Sequence, residues 1–266
     1  MRLILQLFSR KWMLISLTVL AALGMLARLG IWQIDRLAQR RAFNARVLTQ
    51  VNQPILALTG AALEADLSAM EYRKVTVTGE FDFTNEVALR NQAYHMLLGA
   101  HLLTPLHIQG SDKTVLVDRG WIPQDDLLSG SWARFEETGT LTTPGVIRLS
   151  QSKPDFGRIN DPTLAPGDAP LKTWQLANVE AIARQIPYPL LFAVYIQRLP
   201  DLQNPPPIVP DSATLTAPLS EQPQIDLSEG NHQIYALQWF TFAVILAVGY
   251  SFFVLREERK IIPNKS

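Results

Sequence analysis

His232 is the residue of this sequence best placed to bind a ligand, because it is the histidine that adjoins a long uncharged stretch. Tyr235 or Ala236, and then Trp239, follow it at steps of three or four, so in a helix these side chains share one face. An imidazole with aromatic neighbours suits an amphiphilic porphyrin, since the imidazole can ligate the iron while the rings stack on the macrocycle. A hydrogen-bonded histidine without a ligand is the ordinary alternative.

A second set of side chains lies in the uncharged stretch near the N-terminus. Arg28, Trp32 and Arg36 are four residues apart and share one face of a helix. Guanidinium groups bind carboxylates, so the two arginines could meet the propionates of a porphyrin. The plainer interpretations are that Trp32 and Trp239 anchor helices at a membrane interface and that Arg28 extends its charge towards water.

Three further histidines, His95, His101 and His107, are six residues apart in a region of predicted strands. A zinc or copper site built from them stays open, but surface or packed side chains are favoured because no cysteine and no ordered carboxylate pattern accompanies them. The run 118–121, Asp-Arg-Gly-Trp, is typical of a salt-bridged turn at a strand end, with the tryptophan over the core.

Several classes of function are excluded by what the sequence lacks. No nucleophile elbow, zinc-protease helix, phosphate-binding loop or dinucleotide fingerprint is present, so we do not expect an enzyme. The 24 basic and 24 acidic residues balance, which argues against a nucleic-acid partner. With no cysteine, disulfides and thiolate metal sites are impossible.

The elements that must position these residues are two stretches long enough to cross a membrane. Residues 12–32 hold one charge, that of Arg28, and residues 235–255 hold none, whereas roughly 20 apolar residues span the hydrocarbon layer. A cleaved signal peptide is the alternative for the first stretch, but the site around 22–24 fits cleavage poorly. Two spans bring the residues around 32 and 232 to the same membrane boundary.

Charge sets the expected orientation. Both tails are basic, while residues 34–234 contain 16 Lys and Arg against 22 Asp and Glu, a net charge of 16 − 22 = −6. The positive-inside rule then places both termini in the cytoplasm of a bacterial-type cell membrane and the central region on the periplasmic or outer side. The arginines just after the first span argue weakly for the reverse.

The central region alternates apolar and polar residues, as in Val75 and Val77 or Val115 and Val117, and turn residues separate these runs. We expect an α+β fold: two transmembrane helices flanking an outer-facing, mainly antiparallel β domain with one or two short helices, among them 176–186. Seven prolines in 200–223 predict a stiff tether. The expected segments are an N-tail 1–11, a helix 12–33, a domain 34–199, a linker 200–230, a helix 231–255 and a C-tail 256–266.

Taken in order, these motifs resemble the surfeit locus protein one family of cytochrome c oxidase assembly factors. The matching blocks are Leu-Gly-Ile-Trp-Gln at 29–33 with Arg36, Tyr-Arg-Lys-Val at 72–75, Thr-Pro-Leu at 104–106, Val-Leu-Val-Asp-Arg-Gly-Trp-Ile-Pro at 115–123, and Asn-His-Gln-Ile-Tyr-Ala-Leu-Gln-Trp-Phe at 231–240. The resemblance spans nearly the whole chain but is weaker over 124–230.

The resemblance implies a two-span membrane protein that helps to mature haem-copper oxidases by holding or delivering haem a to the catalytic subunit. Haem a synthase is a further partner that it allows. His232 falls at the position of the family's candidate haem ligand. We therefore expect a transient haem site whose residues are His232, Trp32, Gln33, Tyr235, Trp239, Arg28 and Arg36.

Two other functions remain open from the sequence. A cofactor-free chaperone could scaffold oxidase subunits through its helices and sheet, with Gly30 serving close helix packing. An unrelated membrane-anchored sensor or adhesion module fits the composition alone.

Overall fold

The computed structural model describes residues 9–130, 132–154, 157, 160–165, 167–210 and 215–261. These residues form two compact units. The helical unit comprises the residues up to Arg46 and those from Asp226 onward, and the sheet unit comprises Val47–Ile225.

Two long helices, α1 over Met13–Val51 and α4 over His232–Ile261, form the helical unit, apart from the last five residues of α1, which belong to the sheet unit. Both contain stretches long and apolar enough to cross a membrane, with only 11% and 6% of those residues buried. Helices this apolar and this exposed are not core helices of a soluble protein, and they fit a membrane protein. The helices are antiparallel, because Ser16 bonds to Tyr250 near one end and Gln33 bonds to His232 near the other.

The described residues of the sheet unit form eight strands and two short helices. The strands are β1 Leu56–Ala57, β2 Lys74–Phe81, β3 Val87–Tyr94, β4 Leu97–Ile108, β5 Thr114–Pro123, β6 Leu141–Leu149, β7 Thr173–Trp174 and β8 Leu190–Arg198. The helices are α2 Gln124–Ser129 and α3 Val179–Ala183, and single 3-10 turns lie at Gly60–Glu64, Leu67–Met70, Phe83–Asn85 and Ala133–Phe135. The α+β class predicted from the sequence is confirmed.

Five of these strands close into a ring. They pair in the order β2, β6, β8, β5, β4, and β4 returns to β2 through the pairs from Gly79 with Ile108 to Phe81 with Leu106. Alternate residues such as Val77, Leu106, Val117 and Ile196 point inward and form one buried cluster. The period-two pattern therefore marks the inside of the ring.

The topology differs from a simple antiparallel meander. β8 enters between β5 and β6 and runs parallel to β5, because the long connection after β6 carries the chain back before it pairs. The predicted helix 176–186 is helical over Val179–Ala183, where it packs on the outside of β4 and β5.

The predicted domain boundaries also differ from the structure. Residues 34–46 remain in α1 and group with the helical unit, and the sheet unit extends to Ile225. The expected tether at 200–223 packs on the sheet near its end, since Leu219 is 7% exposed and pairs with Trp121. α4 continues past the expected end at 255, while residues 1–8 and 262–266 of the tails lie outside the described residues.

Candidate ligand-binding site on the helical unit

The centre of the site is a hydrogen bond between the two helices. Nδ1 of His232, in the first turn of α4, lies 2.8 Å from Oε1 of Gln33 on α1. Gln33 is only 9% exposed, and the imidazole is half-buried. Among the described residues, no hydrogen-bond partner of the His232 Nε2 is found. The two motifs that topology was expected to bring together therefore meet.

Close packing accompanies this bond. A Cβ atom built on Gly30, one turn before Gln33, would lie 2.7 Å from the ring of Phe240 on α4. The ring thus occupies the space that a side chain at position 30 would need. Glycine lets two helix backbones approach closely, and here it does so one turn away from the Gln33 side chain.

The remaining predicted residues can be placed by their direction around each helix. A helix turns about 100° per residue, and on α1 the buried residues Gly30, Gln33 and Leu37 mark the face turned towards α4. Trp32 and Arg36 lie to one side of this face. The guanidinium carbon of Arg36 stands 5.8 Å from the centre of the Trp32 ring, and Arg36 donates to Gln39 at 3.0 Å.

On α4, His232, Ala236 and Phe240 face α1, while Tyr235 and Trp239 lie to one side. Because both helices are right-handed and run antiparallel, this side coincides with that of Arg36. Arg36, Tyr235 and Trp239 therefore lie on one flank of the helix pair, beside the bond between His232 and Gln33, and Trp32 joins them through its contact with Arg36.

Arg28 and Trp32 lie two residues on either side of Gly30, so each is turned by about 160° from the direction of Gly30 around α1. Both side chains are exposed. The helix geometry therefore treats the two alike, and Arg28 stays in the predicted set with Trp32 and Arg36.

The arrangement fits an amphiphilic porphyrin. Nε2 of His232 is available to an iron atom, and Trp32 and Tyr235, 43% and 46% exposed, offer apolar ring surface on an open flank. Arg36, whose guanidinium group lies beside the Trp32 ring, would be the residue to pair with a propionate. The donor set is one imidazole with aromatic walls, without a second strong ligand among the six gathered residues.

The other histidines do not form a metal site. His101 contacts Asp118, His107 contacts Thr114 at 3.0 Å, and His95 lies in the turn between β3 and β4. Within the part of the chain that the structure describes, no cluster of three or more His, Asp or Glu residues could hold a metal ion. Copper binding by these three residues is therefore unsupported by their placement.

The Asp-Arg-Gly-Trp run lies within β5 rather than in a turn. Pairing of β4 with β5 slips between Leu102 and Leu103, and Gly120 absorbs the irregularity with a φ of 122°. Arg119 is fully buried, with Nη1 2.8 Å from Glu86 and Nη2 3.0 Å from Glu137. Burial raises the pKa of Glu86, and the charge of Arg119 offsets part of that rise.

The sequence predicts a salt bridge at this run but not its burial or its partners, since arginine is usually exposed and the two glutamates lie far away along the chain. The signal available in retrospect is an arginine at an interior position of an otherwise apolar strand, Val-Leu-Val-Asp-Arg-Gly-Trp-Ile. We assign the network to the stability of the sheet unit.

Two long apolar helices that are joined by a hydrogen bond to a histidine, with a closed β sheet between them in the sequence, are consistent with a membrane protein. The model of the SURF1 family matches residues 20–244, which include Gln33, His232 and the whole sheet. The chain belongs to the SURF1 family, which implies an assembly factor for cytochrome oxidase.

Named relatives agree with this assignment. The chain is 25% identical to a SURF1-like protein of Caenorhabditis elegans over 260 residues, which covers 89% of this chain and 73% of that protein. It is 27% identical to human Surfeit locus protein 1 over 192 residues, or 65% and 58% of the two chains. The mouse protein of the same name is 24% identical over 59% of this chain and 53% of its own length.

Proposed function

We propose that the protein is an integral membrane assembly factor for haem-copper terminal oxidase that holds haem a transiently and passes it to the catalytic subunit. Family membership supports the assembly role. The observation that carries the haem proposal is the His232 to Gln33 bond, because it leaves Nε2 of the ring available at an open, aromatic flank. In this role the protein is a carrier and not an enzyme.

Each gathered side chain has a task in this proposal. Nε2 of His232 ligates the iron of the cargo, whose axial position accepts an imidazole nitrogen. Trp32, Tyr235 and Trp239 cover the macrocycle, and Arg36 pairs with a propionate. With a single protein ligand and an open flank, release to a receiving subunit requires the loss of only one coordinate bond.

We also propose that both termini face the cytoplasm and that the sheet unit faces the periplasm or outer side of a cell membrane. Lys11 lies 3.8 Å from Glu258, so the basic residues near position 11 and those near 256–259 occupy the same end of the helix pair. A basic end of this kind stays on the cytoplasmic side.

The test is the haem content of the purified full-length protein from cells that make haem a. We expect haem a in the wild type, seen in the visible spectrum and by extraction, and its loss in His232→Ala. His107→Ala serves as a matched control, because His107 lies in β4 of the sheet unit, and should keep its haem. Haem content unchanged by His232→Ala would contradict the ligand assignment.

A cofactor-free chaperone is the second candidate, favoured by the exposed apolar face of α4 that includes Leu237, Val244 and Phe252. In that case the wild type is colourless, and cross-links between α4 and oxidase subunits persist when haem synthesis is blocked. If the purified wild type contains no haem and these cross-links persist, the chaperone function is supported in place of the carrier function.

A further inference from the structure

We infer that Gln33 is a positioning residue that holds the His232 ring in the tautomer with its lone pair on Nε2, and that Gly30 keeps α4 close enough for this bond. The inference deepens the proposed function and rests on it for its purpose. The tautomer itself does not depend on whether haem binds.

The direction of the hydrogen bond carries the first step. The amide oxygen of Gln33 can only accept, so Nδ1 of His232 must be the donor over the 2.8 Å distance. A neutral imidazole carries a single ring proton, which is then fixed on Nδ1. Nε2 is left with its lone pair, the form that binds a metal.

The position of Gln33 carries the second step. Its side chain is 9% exposed on the packing face of α1, where a leucine would pack without any polar group to satisfy. A buried amide is unfavourable unless it is hydrogen-bonded. His232 supplies the hydrogen bond to the amide oxygen of this glutamine, and in return the ring loses its freedom to exchange tautomers.

Gly30 supplies the third step. The Phe240 ring fills the place of a Cβ at position 30, at 2.7 Å. Gly30 lies one turn from Gln33 along α1, and the Phe240 ring reaches it from two turns beyond His232 along α4. The contact at Gly30 therefore lies next to the hydrogen bond. A side chain at position 30 would separate the helices beside the bond.

A purely structural polar pair is the competing explanation, since side-chain hydrogen bonds join membrane helices in general. The two roles differ in one measurable property. A purely structural bond can be made with any hydrogen-bonding partner of His232. A positioning bond requires an acceptor opposite Nδ1, which fixes the ring proton on that nitrogen.

The experiment uses the full chain in lipid nanodiscs with ¹⁵N-labelled histidine, in alkaline buffer in which free imidazole is neutral. Solid-state NMR distinguishes protonated from unprotonated ring nitrogens, and the His232→Ala spectrum identifies the signals. We expect a single Nδ1–H tautomer in the wild type. Gln33→Met should give a mixture of tautomers, Gln33→Glu should retain the Nδ1–H form, and the exposed control Gln238→Met should match the wild type.

Titration with haemin supplies the second readout. Second-shell partners of a histidine ligand typically change metal affinity by about 10- to 100-fold, so Gln33→Met should raise the dissociation constant of haemin by at least about tenfold, and Gln33→Glu should largely restore it. An unchanged tautomer in Gln33→Met overturns the inference even when haemin binds. A tautomer that follows Gln33 in a protein that binds no haemin supports the positioning bond and overturns the proposed carrier function instead.

Discussion

His101 and Asp118 face each other across β4 and β5, with Nδ1 of the imidazole 2.8 and 3.0 Å from the two carboxylate oxygens. Burial alone would lower the pKa of His101, but the Asp118 carboxylate reverses this effect, so the pKa lies above its usual value. Asp118 also accepts the N–H of Gly120 at the irregular point of the strand. The pair thus joins the imidazole ring to the backbone of β5.

This pair makes the stability of the sheet unit depend on pH. Because the folded-state pKa of His101 is raised, its contribution is complete below about pH 6.5, the usual value for histidine, and is lost as pH rises through the folded value. The difference in unfolding temperature between wild type and His101→Gln, followed by tryptophan fluorescence, should shrink as pH rises. The control is His107→Gln, whose ring contacts the Thr114 hydroxyl. A difference that grows with pH would contradict the assignment.

Removing the buried cation should destabilise the sheet unit strongly. Arg119→Met leaves Glu86 buried without its partner, which we expect to cost about 3 kcal/mol of unfolding free energy. The double variant with Glu86→Gln should recover part of this loss, because no unpaired charge remains. Arg184→Met, which breaks an exposed pair with Glu180, should change stability by less than about 0.5 kcal/mol. Denaturant titration measures all three, and equal losses for Arg119 and Arg184 would be incompatible with a buried network.

The close approach at Gly120 should hold the end of the proline-rich segment on the sheet. A Cβ at this residue would lie 2.5 Å from the backbone oxygen of Leu219, so Gly120→Ala should displace that segment and speed its limited proteolysis. Gly139→Ala also places a side chain at positive φ, but in open space, and serves as the control. We expect about 1 kcal/mol of destabilisation for the control and at least twice that for Gly120→Ala. Similar proteolysis of the two variants would show that the Leu219 contact is unimportant.

Much of this architecture can be predicted from local pattern. The alternation at Val75 and Val77 predicts both the strand and which of its side chains face the interior. The two apolar stretches predict both long helices. The return pairing of β4 to β2 and the parallel pairing of β5 with β8 join segments whose register depends on distant contacts, so no local signal reveals them. For the site, topology predicts that the ends of the helices meet. The contacts of Gln33 with His232 and of Gly30 with Phe240 show which face of α1 is involved.

The packing of the helix pair can be tested by comparing a glycine in close contact with one that has free space around it. Gly30→Val should disturb the contact with Phe240, whereas Gly24→Val meets nothing within 4 Å and is the matched control. Since the chain has no cysteine, the variants Ser16→Cys and Tyr250→Cys, at positions whose native side chains meet between the helices, report helix pairing through cross-linking by a short bis-maleimide. We expect slower cross-linking with Gly30→Val by about threefold or more, corresponding to a loss of pairing of about 0.7 kcal/mol. Equal slowing by Gly24→Val would point to a general effect of valine.

Gln33 and His232 are 199 positions apart, which determines when the site can form during synthesis of the chain. The ring of strands cannot close before β8 is synthesised, and the imidazole cannot find its partner before the chain reaches α4. A ribosome-bound or truncated chain that lacks α4 therefore carries Gln33 but not the His232 that completes the site. In the proposed carrier role, cargo is captured only after α4 has been synthesised, so synthesis of α4 acts as the checkpoint for loading.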